Sequence, residues 1–241
     1  MEDPVKGVES QNMAAESRTE RVAAIAALDE PNRRRLYDYV AGQDGPVGRD
    51  EAAEATGLAR ATAAFHLDRM VTDGLLDVVY ERRSGRTGPG AGRPAKLYRR
   101  SPEEIAVSLP DRRYQLVGNL LADAIAEAET GGGSPRAALD RHAHRAGVAY
   151  GLAARSSGTG PVPIAEALAG LGFEPRAEND SIVLANCPFH ALAQRHTAMV
   201  CGMNLRLLDG VLEGLSATGL AARLDPGPGR CCVRIGPGAP G

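Results

Sequence analysis

Residues 49–80 read RDEAAEATGLARATAAFHLDRMVTDGLLDVVY, and they predict two short helices joined by a tight turn. Gly57 and Gly74 each follow a run of helix-forming residues. Glycine readily adopts the left-handed backbone that commonly ends a helix, so we expect helices over 49–56 and 59–73. Because only a few residues separate the two helices, the pattern favours a compact helix-turn-helix unit.

The flanking residues complete a small domain. Residues 20–27 and 31–40 predict two earlier helices, and 42–48 predict a loop. The alternating pattern of 75–81 predicts a strand, and 95–99 predict its partner in a hairpin. A helix-turn-helix followed by a basic hairpin predicts a winged helix-turn-helix, whose second helix enters the major groove of DNA.

The hairpin carries a strong local charge. Between 82 and 100 the chain has only basic charged residues, although its net charge is −2. A local basic run favours an anionic partner. The side chains expected to contact double-stranded DNA are Arg60, Thr62, His66, Arg69, Arg82, Arg83, Arg86, Arg93 and Lys96. The side chains of the second helix expected in the core are Phe65, Leu67, Met70 and Val71. The alternative interpretation is that these charges form a solvated face of an ordinary small α+β domain.

The C-terminal half begins with the clearest amphipathic pattern of the chain. Residues 111–129 repeat apolar side chains at helical spacing, and a run of three glycines follows at 131–133. This helix is expected either to link or dimerise domains or to pack against its own chain. The other predicted elements are helices over 135–155, 163–171 and 188–215, and strands over 173–177, 181–185, 220–224 and 230–235.

The fold class expected is therefore α+β, in four segments. The segments are a disordered leader over 1–18, a winged helix-turn-helix domain over 19–101, a linking or dimerisation helix over 102–130, and a cysteine-containing sensor domain over 134–241. No apolar run approaches the roughly 18 residues that indicate a membrane span, and the polar N-terminus lacks the apolar core of an export signal. We expect a cytoplasmic protein without membrane contact.

All the cysteines of the chain lie in the C-terminal half: Cys187, Cys201, Cys231 and Cys232. In a reducing cytosol, clustered cysteines more often bind metal or do redox chemistry than form structural disulfides. Four thiolates suit a tetrahedral zinc site or an iron–sulfur cluster, although no C-x-x-C pair occurs here. Cys187 precedes a predicted helix, whose free N–H groups favour thiolate. His190, one turn further on, is a further candidate ligand. Inert buried thiols and disulfide chemistry remain the alternatives.

The spacing of the cysteines sets a condition on any shared site. In one straight helix over 188–215, Cys187 and Cys201 would lie about 20 Å apart. Sulfurs that share one zinc ion lie within about 4 Å of each other. A shared site therefore requires a break near 196–199, where no glycine or proline indicates one. Cys231 and Cys232 would also face opposite sides of a strand. Three cysteines with another ligand and four cysteines are thus equally plausible.

Several stretches resemble known transcription regulators. Residues 24–36, AIAALDEPNRRRL, are similar to the opening helices of ArsR- and MarR-type regulators, and 92–98, GRPAKLY, to the second wing strand of the SufR-like branch. Residues 187–189, CPF, then 200–201, VC, and 207–212, LLDGVL, resemble the C-terminal region of SufR-type repressors. The resemblance implies a dimeric bacterial regulator with an iron–sulfur cluster bound through Cys187, Cys201 and one of Cys231 and Cys232.

The residues and the resemblance together predict a homodimeric DNA-binding repressor. Its C-terminal domain would bind an iron–sulfur cluster, or zinc as the alternative, and so control the affinity for an operator. A second hypothesis keeps DNA binding but makes this domain a pocket for a small organic ligand, with zinc or free thiols only structural. A third is an enzyme with Cys187 as nucleophile near His190 or His196. No oxyanion or cofactor motif supports catalysis, so we do not expect an enzyme.

Overall fold

The structure is a computed structural model that describes residues 18–81, 94–156 and 163–238. By contacts between residues, the chain divides into two compact units, Met1–Val107 and Ser108–Gly241. Each unit combines helices with an antiparallel sheet, so the chain mixes α and β structure as predicted. The predicted leader over 1–18 lies outside the described residues, apart from Arg18, which begins the first helix.

The described part of the first unit contains four helices and three strands. The helices are α1 (Arg18–Ala27), α2 (Pro31–Ala41), α3 (Arg49–Thr56) and α4 (Arg60–Thr72), and the strands are β1 (Val47–Gly48), β2 (Leu76–Glu81) and β3 (Ala95–Arg100). The helix ends have the expected causes. Glu30 caps α2 by accepting hydrogen bonds from the backbone N–H groups of Asn32 and Arg33, at 3.0 and 2.8 Å. Gly57 ends α3 with a φ of 68°.

The sheet of the first unit has the strand order β1-β3-β2 and is antiparallel. Strand β1 corrects the sequence analysis, which assigned 42–48 entirely to a loop. Val47 pairs with Tyr98, and Gly48 with Leu97. A strand of two residues is too short to show an alternating pattern, so the sequence carries no periodic signal for it. The turn between α3 and α4 and the hairpin β2–β3 give the unit the arrangement of a winged helix-turn-helix.

The described part of the second unit has five helices and four strands. The helices are α5 (Tyr114–Gly131), α6 (Pro135–Ser156), α7 (Ile164–Gly170), α8 (His190–Arg195) and α9 (Thr197–Gly214), and the strands are β4 (Pro175–Glu178), β5 (Ser181–Leu184), β6 (Leu220–Leu224) and β7 (Val233–Pro237). The strands form an antiparallel sheet in the order β4-β5-β7-β6. None of the helices in the described ranges is long and apolar enough to cross a membrane.

Helix α5 packs into the core of the second unit. Its Val117, Leu120 and Ala124 are buried there with residues of α6 and α9, while Ile125 is 51% exposed. Of the two roles considered for this amphipathic helix, packing against its own chain accounts for its buried face.

Helices α6 and α9 cross at unusually short range. A Cβ atom added to Gly147 on α6 would lie 2.1 Å from the carbonyl oxygen of Leu207. One added to Gly210 on α9 would lie 2.1 Å from the carbonyl oxygen of His144. Gly151 and Gly214 make the same kind of backbone contact one turn further on. Two G-x-x-x-G pairs therefore let the helices touch backbone to backbone, and α9 has a fixed position against α6.

The helical conformation is interrupted between α8 and α9 at His196, whose φ of −131° and ψ of 48° are not helical. A site shared by Cys187 and Cys201 requires an interruption of the helix near 196–199, and the structure has one there. The predicted helix over 188–215 is therefore two helices. No glycine or proline causes the break. The backbone N–H of His196 still closes the last turn of α8 on Leu192, at 2.8 Å.

Candidate nucleic-acid interface and thiol cluster

Helix α4 presents two of the predicted DNA-contacting side chains to solvent. The side chain of Arg60 is 63% exposed and forms an ion pair with Asp50 on α3, at 2.5 Å. Arg69 is 56% exposed and pairs with Asp73, at 3.2 Å. Thr62 is half-buried. Exposed ion pairs of this kind are worth about 0–1 kcal/mol, so the arginines can exchange their carboxylate partners for phosphates at small cost.

His66 does not face outward, which corrects the sequence analysis. Its side chain is only 13% exposed and turns toward Glu30, with Nδ1 3.7 Å from the carboxylate. The buried face of α4 is defined by Ala63, Leu67 and Met70. His66 lies three residues after the first and four before the last, which places it on that same face.

Phe65 also differs from its predicted position, but it lies outward where the core was expected. It was expected in the core, but it is 67% exposed. Phe65 lies two residues from both Ala63 and Leu67, and a step of two residues turns the side chain to the far side of a helix. A large apolar side chain therefore stands on the outer face of α4, where its only ring contact among the described residues is with His66, at 5.4 Å between centroids.

Lys96 forms a link between the hairpin and α4. Its Nζ lies 2.6 Å from Oδ1 of Asp68, and the hydroxyl of Tyr98 donates a 2.6 Å hydrogen bond to the same oxygen. Partial burial raises the pKa of Asp68, but the bonds from Lys96 and Tyr98 lower it by more. Burial and the bond to Asp68 raise the pKa of Tyr98. Arg82, Arg83, Arg86 and Arg93, the predicted wing contacts, lie outside the described residues.

The four cysteines come from three separate segments of the second unit. Cys187 lies between β5 and α8, Cys201 is in the first turns of α9, and Cys231 and Cys232 directly precede β7. All four are free thiols. Cys187, Cys201 and Cys231 are buried, with 8%, 8% and 2% exposure, and Cys232 is half-buried.

These segments bring the thiols together into one cluster. The side chains lie close enough to shift the pKa of one another: Cys231 acts on Cys187, and Cys232 acts on both Cys231 and Cys201. Cys231 and Cys232 lie just before β7, which begins at Val233, and they differ in burial: Cys231 is buried and Cys232 is half-buried. We call these four side chains the thiol cluster. The backbone N–H of Cys231 donates to the carbonyl of Leu184 at 2.8 Å, which fixes the cluster to the end of β5.

Three members of the thiol cluster have a raised pKa, which is opposite to the expectation of a thiolate at Cys187. The neighbouring thiol of Cys231 and burial raise the pKa of Cys187, outweighing the N–H of Phe189 and the nearby Arg112. For Cys231, the neighbouring Cys187 lowers the pKa, but Cys232 and burial raise it to about 11. Burial also raises the pKa of Cys201.

Two polar side chains next to the thiol cluster escaped the sequence analysis. Asn204, one turn after Cys201 on α9, is 0% exposed, and its Nδ2 donates to Sγ of Cys231 at 3.2 Å. Arg112 donates to Oδ1 of Asn186 at 2.6 Å and to the carbonyl of Cys187 at 3.4 Å. The signal for Asn204 was available, because a polar residue stands on an otherwise apolar face of the helix, one turn from a cysteine.

His190, the additional candidate ligand, is exposed at the start of α8. Within the described ranges, its side chain makes no hydrogen bond or ion pair with a thiol. Among the same residues, no group of three or more His, Cys, Asp or Glu side chains is already placed to hold a metal ion. The thiol cluster is thus a set of adjacent soft donors rather than a finished coordination site.

Comparison with known proteins adds little to this geometry. No family model matches the chain, and no curated protein is similar to it. Among solved structures, the chain is similar to "the homodimeric winged helix-turn-helix DNA-binding domain (fragment 1-100) Mb0332 from Mycobacterium bovis, a possible ArsR-family transcriptional regulator". The two chains are 24% identical, with a TM-score of 0.27, over 48% of this chain and 94% of that domain. At that score the similarity carries no argument, so the function has to be inferred from the residues.

Proposed function

We propose that this protein is a homodimeric DNA-binding transcription regulator whose thiol cluster binds a metal centre that controls its affinity for an operator. The observation that carries the proposal is the convergence of all four cysteines, from three separate segments, into one neighbourhood in which three of them are buried and the thiols shift the pKa of one another. An iron–sulfur cluster is the first candidate for the centre and a zinc ion the second. The proposed site of action is the cytoplasm, where reducing conditions keep thiols available.

The DNA-binding half of the proposal is supported by α4 and its surroundings. This helix follows the turn at Gly57, carries an exposed outer face and is joined to the hairpin through Lys96 and Asp68. Helices in this position read base edges in the major groove, and basic hairpins contact phosphates. The structure changes the set of reading residues, because Phe65 replaces His66 on the outer face. Apolar side chains of this kind contact the methyl group of thymine.

The metal-binding half is supported by the chemistry of the donor set. Cysteine thiolates are the preferred ligands of iron–sulfur clusters and of structural zinc. Four neighbouring thiols, three of them buried and one half-buried, offer such ligands in a site that excludes most water. A centre of either type would be held by Cys187, Cys201 and Cys231, with Cys232 as the fourth candidate. Such a centre supplies a crosslink that ties these segments together and is lost on oxidation or removal of the metal.

The electrostatics of the thiol cluster predict how binding depends on pH. The raised pKa values of Cys187, Cys201 and Cys231 mean that these thiols are protonated at neutral pH. Metal binding must then release protons, so the apparent affinity rises with pH. The cation of Arg112 lies close enough to Cys187 to favour its charged form, and it would partly offset the negative charge of several thiolates.

An enzymatic role for Cys187 has no support in this arrangement. A nucleophilic cysteine needs a lowered pKa and access to substrate. Cys187 is 8% exposed, and its pKa is raised. We therefore propose a binding and regulatory role rather than catalysis.

The experiment that tests the metal centre is a measurement of iron, acid-labile sulfide and zinc in protein purified without oxygen. Iron with sulfide and a brown colour supports an iron–sulfur cluster. Colourless protein with one zinc per chain supports the zinc centre. Protein with neither metal, which also takes up neither on reconstitution, contradicts the metal-binding half and favours a regulator that responds to a small organic ligand.

The control of DNA binding is tested with Cys201→Ser. DNA fragments are first enriched from a random duplex pool with the wild-type protein, and affinity for the enriched duplex is then measured with and without the metal centre. We expect the wild type to change affinity at least fivefold between the two states, and Cys201→Ser to show no such change. An equal response in both proteins would contradict regulation through the thiol cluster.

A further inference from the structure

Asn204 occupies a position where packing alone gives no reason for an amide. The residue is 0% exposed, on a face of α9 that otherwise carries apolar side chains and Cys201. Its Nδ2 donates to Sγ of Cys231 at 3.2 Å. Its Oδ1 is buried and has no hydrogen-bond partner among the described residues. A buried acceptor without a partner costs free energy, so the amide needs another reason to be there.

The second buried asparagine near the thiol cluster shows what a structural amide looks like in this unit. Nδ2 of Asn186 donates to the carbonyls of Gly172 and Asp111, at 2.7 and 3.1 Å. Its Oδ1 accepts from Arg112 at 2.6 Å. Asn186 is therefore fully bonded and holds three segments together, whereas Asn204 makes one bond, and that bond goes to a sulfur of the thiol cluster.

A hydrogen bond to sulfur favours the charged form of that sulfur. An N–H donor binds a thiolate, or a sulfur that carries negative charge in a metal–thiolate bond, more strongly than it binds a neutral thiol. The same bond fixes the direction in which the sulfur points. Groups that orient metal ligands in this way commonly change metal affinity by about 10- to 100-fold.

The geometry points to Asn204 as the positioning residue that makes Cys231, rather than Cys232, the ligand of the adjacent pair. This inference rests on the proposed metal centre and names the residue that orders it. Cys231 is 2% exposed, and its sulfur accepts a hydrogen bond from the amide of Asn204. Cys232 is half-buried and has no bond to this amide among the described residues. The pair therefore divides into a held sulfur and a solvent-side sulfur.

The test uses Co²⁺ as the probe, added without oxygen to the full-length, metal-free chain. Cobalt bound to thiolates gives a sulfur-to-metal charge-transfer absorption, so both affinity and the ligand environment are visible. Affinity is measured in competition with a chelator. The variants are Asn204→Leu and Asn204→Ala, which bracket the volume of the amide and lack its donor. Met203→Leu, a neighbouring buried residue on the same helix, is the matched control.

We expect Asn204→Leu and Asn204→Ala to bind Co²⁺ at least about tenfold more weakly than the wild type, while Met203→Leu binds as the wild type does. The charge-transfer band of both Asn204 variants should move to lower energy, because the sulfur loses a donor that withdraws charge. The melting temperature of metal-free Asn204→Leu should equal or exceed that of the wild type, since the variant removes an acceptor without a partner.

The possible failures are distinguishable. If the wild type binds Co²⁺ through thiolates and both Asn204 variants match it in affinity and band energy, the role of Asn204 is overturned and the metal centre stands. If both metal-free variants melt far below the wild type, the amide is structural and the inference is overturned. If the wild type shows no thiolate-to-cobalt band, the metal centre itself is overturned, and the role of Asn204 with it.

Discussion

Helix α4 and the thiol cluster differ in the exposure of the side chains proposed to function: those of α4 are exposed to solvent, and those of the thiol cluster are mostly buried. Arg60, Phe65 and Arg69 are more than half exposed, and their contacts are surface ion pairs and one ring contact. Three of the four thiols are buried, and they shift the pKa of one another. On α4, a single substitution can therefore change the proposed DNA binding without changing stability. In the thiol cluster, a substitution changes both metal binding and stability, because the buried sulfurs are also part of the core.

The largest effect is expected where the core of the second unit depends on a glycine. Gly210→Ala would place a Cβ atom 2.1 Å from the carbonyl oxygen of His144, so α6 and α9 would have to separate. We expect a loss of about 3 kcal/mol or more in the free energy of unfolding of the second unit, measured by urea denaturation. Gly118→Ala on α5, where a Cβ meets nothing within 4 Å, is the control. It should be neutral or stabilise by about 0.5–1 kcal/mol. Similar stability of the two variants would contradict the backbone contact.

Substitutions of the adjacent Cys231 and Cys232 compare a buried with a half-buried sulfur inside the thiol cluster. Cys231→Ser removes the buried sulfur that accepts the amide of Asn204, and we expect metal affinity to fall by at least about 100-fold. Cys232→Ser changes a half-buried sulfur and should cost about tenfold or less. Chelator competition measures both. Equal losses would show that the two cysteines are equivalent ligands and would break the distinction between held and solvent-side sulfur.

On α4, two neighbouring apolar residues should behave in opposite ways. Leu67 is 0% exposed, so Leu67→Ala should destabilise the first unit by about 2–5 kcal/mol. Phe65→Ala should change stability by less than about 0.5 kcal/mol. It should nevertheless weaken binding to the enriched duplex about fivefold, because it removes an apolar contact to a base. Thermal unfolding and DNA titration measure the two effects. Unchanged DNA affinity of a folded Phe65→Ala variant would contradict a reading role for the outer face.

The smallest effect concerns the link between the hairpin and α4. Bonds from Lys96 and Tyr98 lower the pKa of Asp68 in the folded state. The stabilisation is therefore present above the unfolded pKa of about 3.9 and is lost as the pH falls through the lower folded value. Because Asp68 is 54% exposed, Asp68→Asn should cost less than about 1 kcal/mol at pH 7, and the difference from wild type should shrink as the pH falls below about 3.9. Asp44→Asn, in an exposed loop, is the control. A difference that stays constant with pH would contradict this account.

The sequence predicted the elements of the first unit well, because their boundaries have local causes. Gly57 ends α3, and Glu30 with Pro31 begins α2. The errors on α4 arose from assigning residues by hydrophobicity instead of by phase. Once Leu67 and Met70 define the buried side, the helical repeat places His66 inward and Phe65 outward. That correction was available from the sequence alone.

The sequence identified the four cysteines of the thiol cluster, but it did not show how the fold brings them together. Cysteines far apart in sequence come together because β5 pairs with β7 and because the helix is interrupted at His196. Strand pairing is a tertiary property that no local pattern specifies, and the break has no glycine or proline to announce it. The two G-x-x-x-G pairs of α6 and α9 were visible in the sequence, but such a pattern indicates close helix contact only once the partner helix is known.

The glycine crossing has a mechanical consequence for the place of Cys201. Side chains that interdigitate between helices can repack and absorb small shifts, but backbone atoms in contact cannot. Any displacement imposed on α9 at Cys201 must therefore be carried by α6 as a whole. Helix α6 has 22 residues and so is about 33 Å long. The crossing makes α6 and α9 move as one rigid pair, and Cys201 lies near the start of α9, where binding at its sulfur would act on that pair.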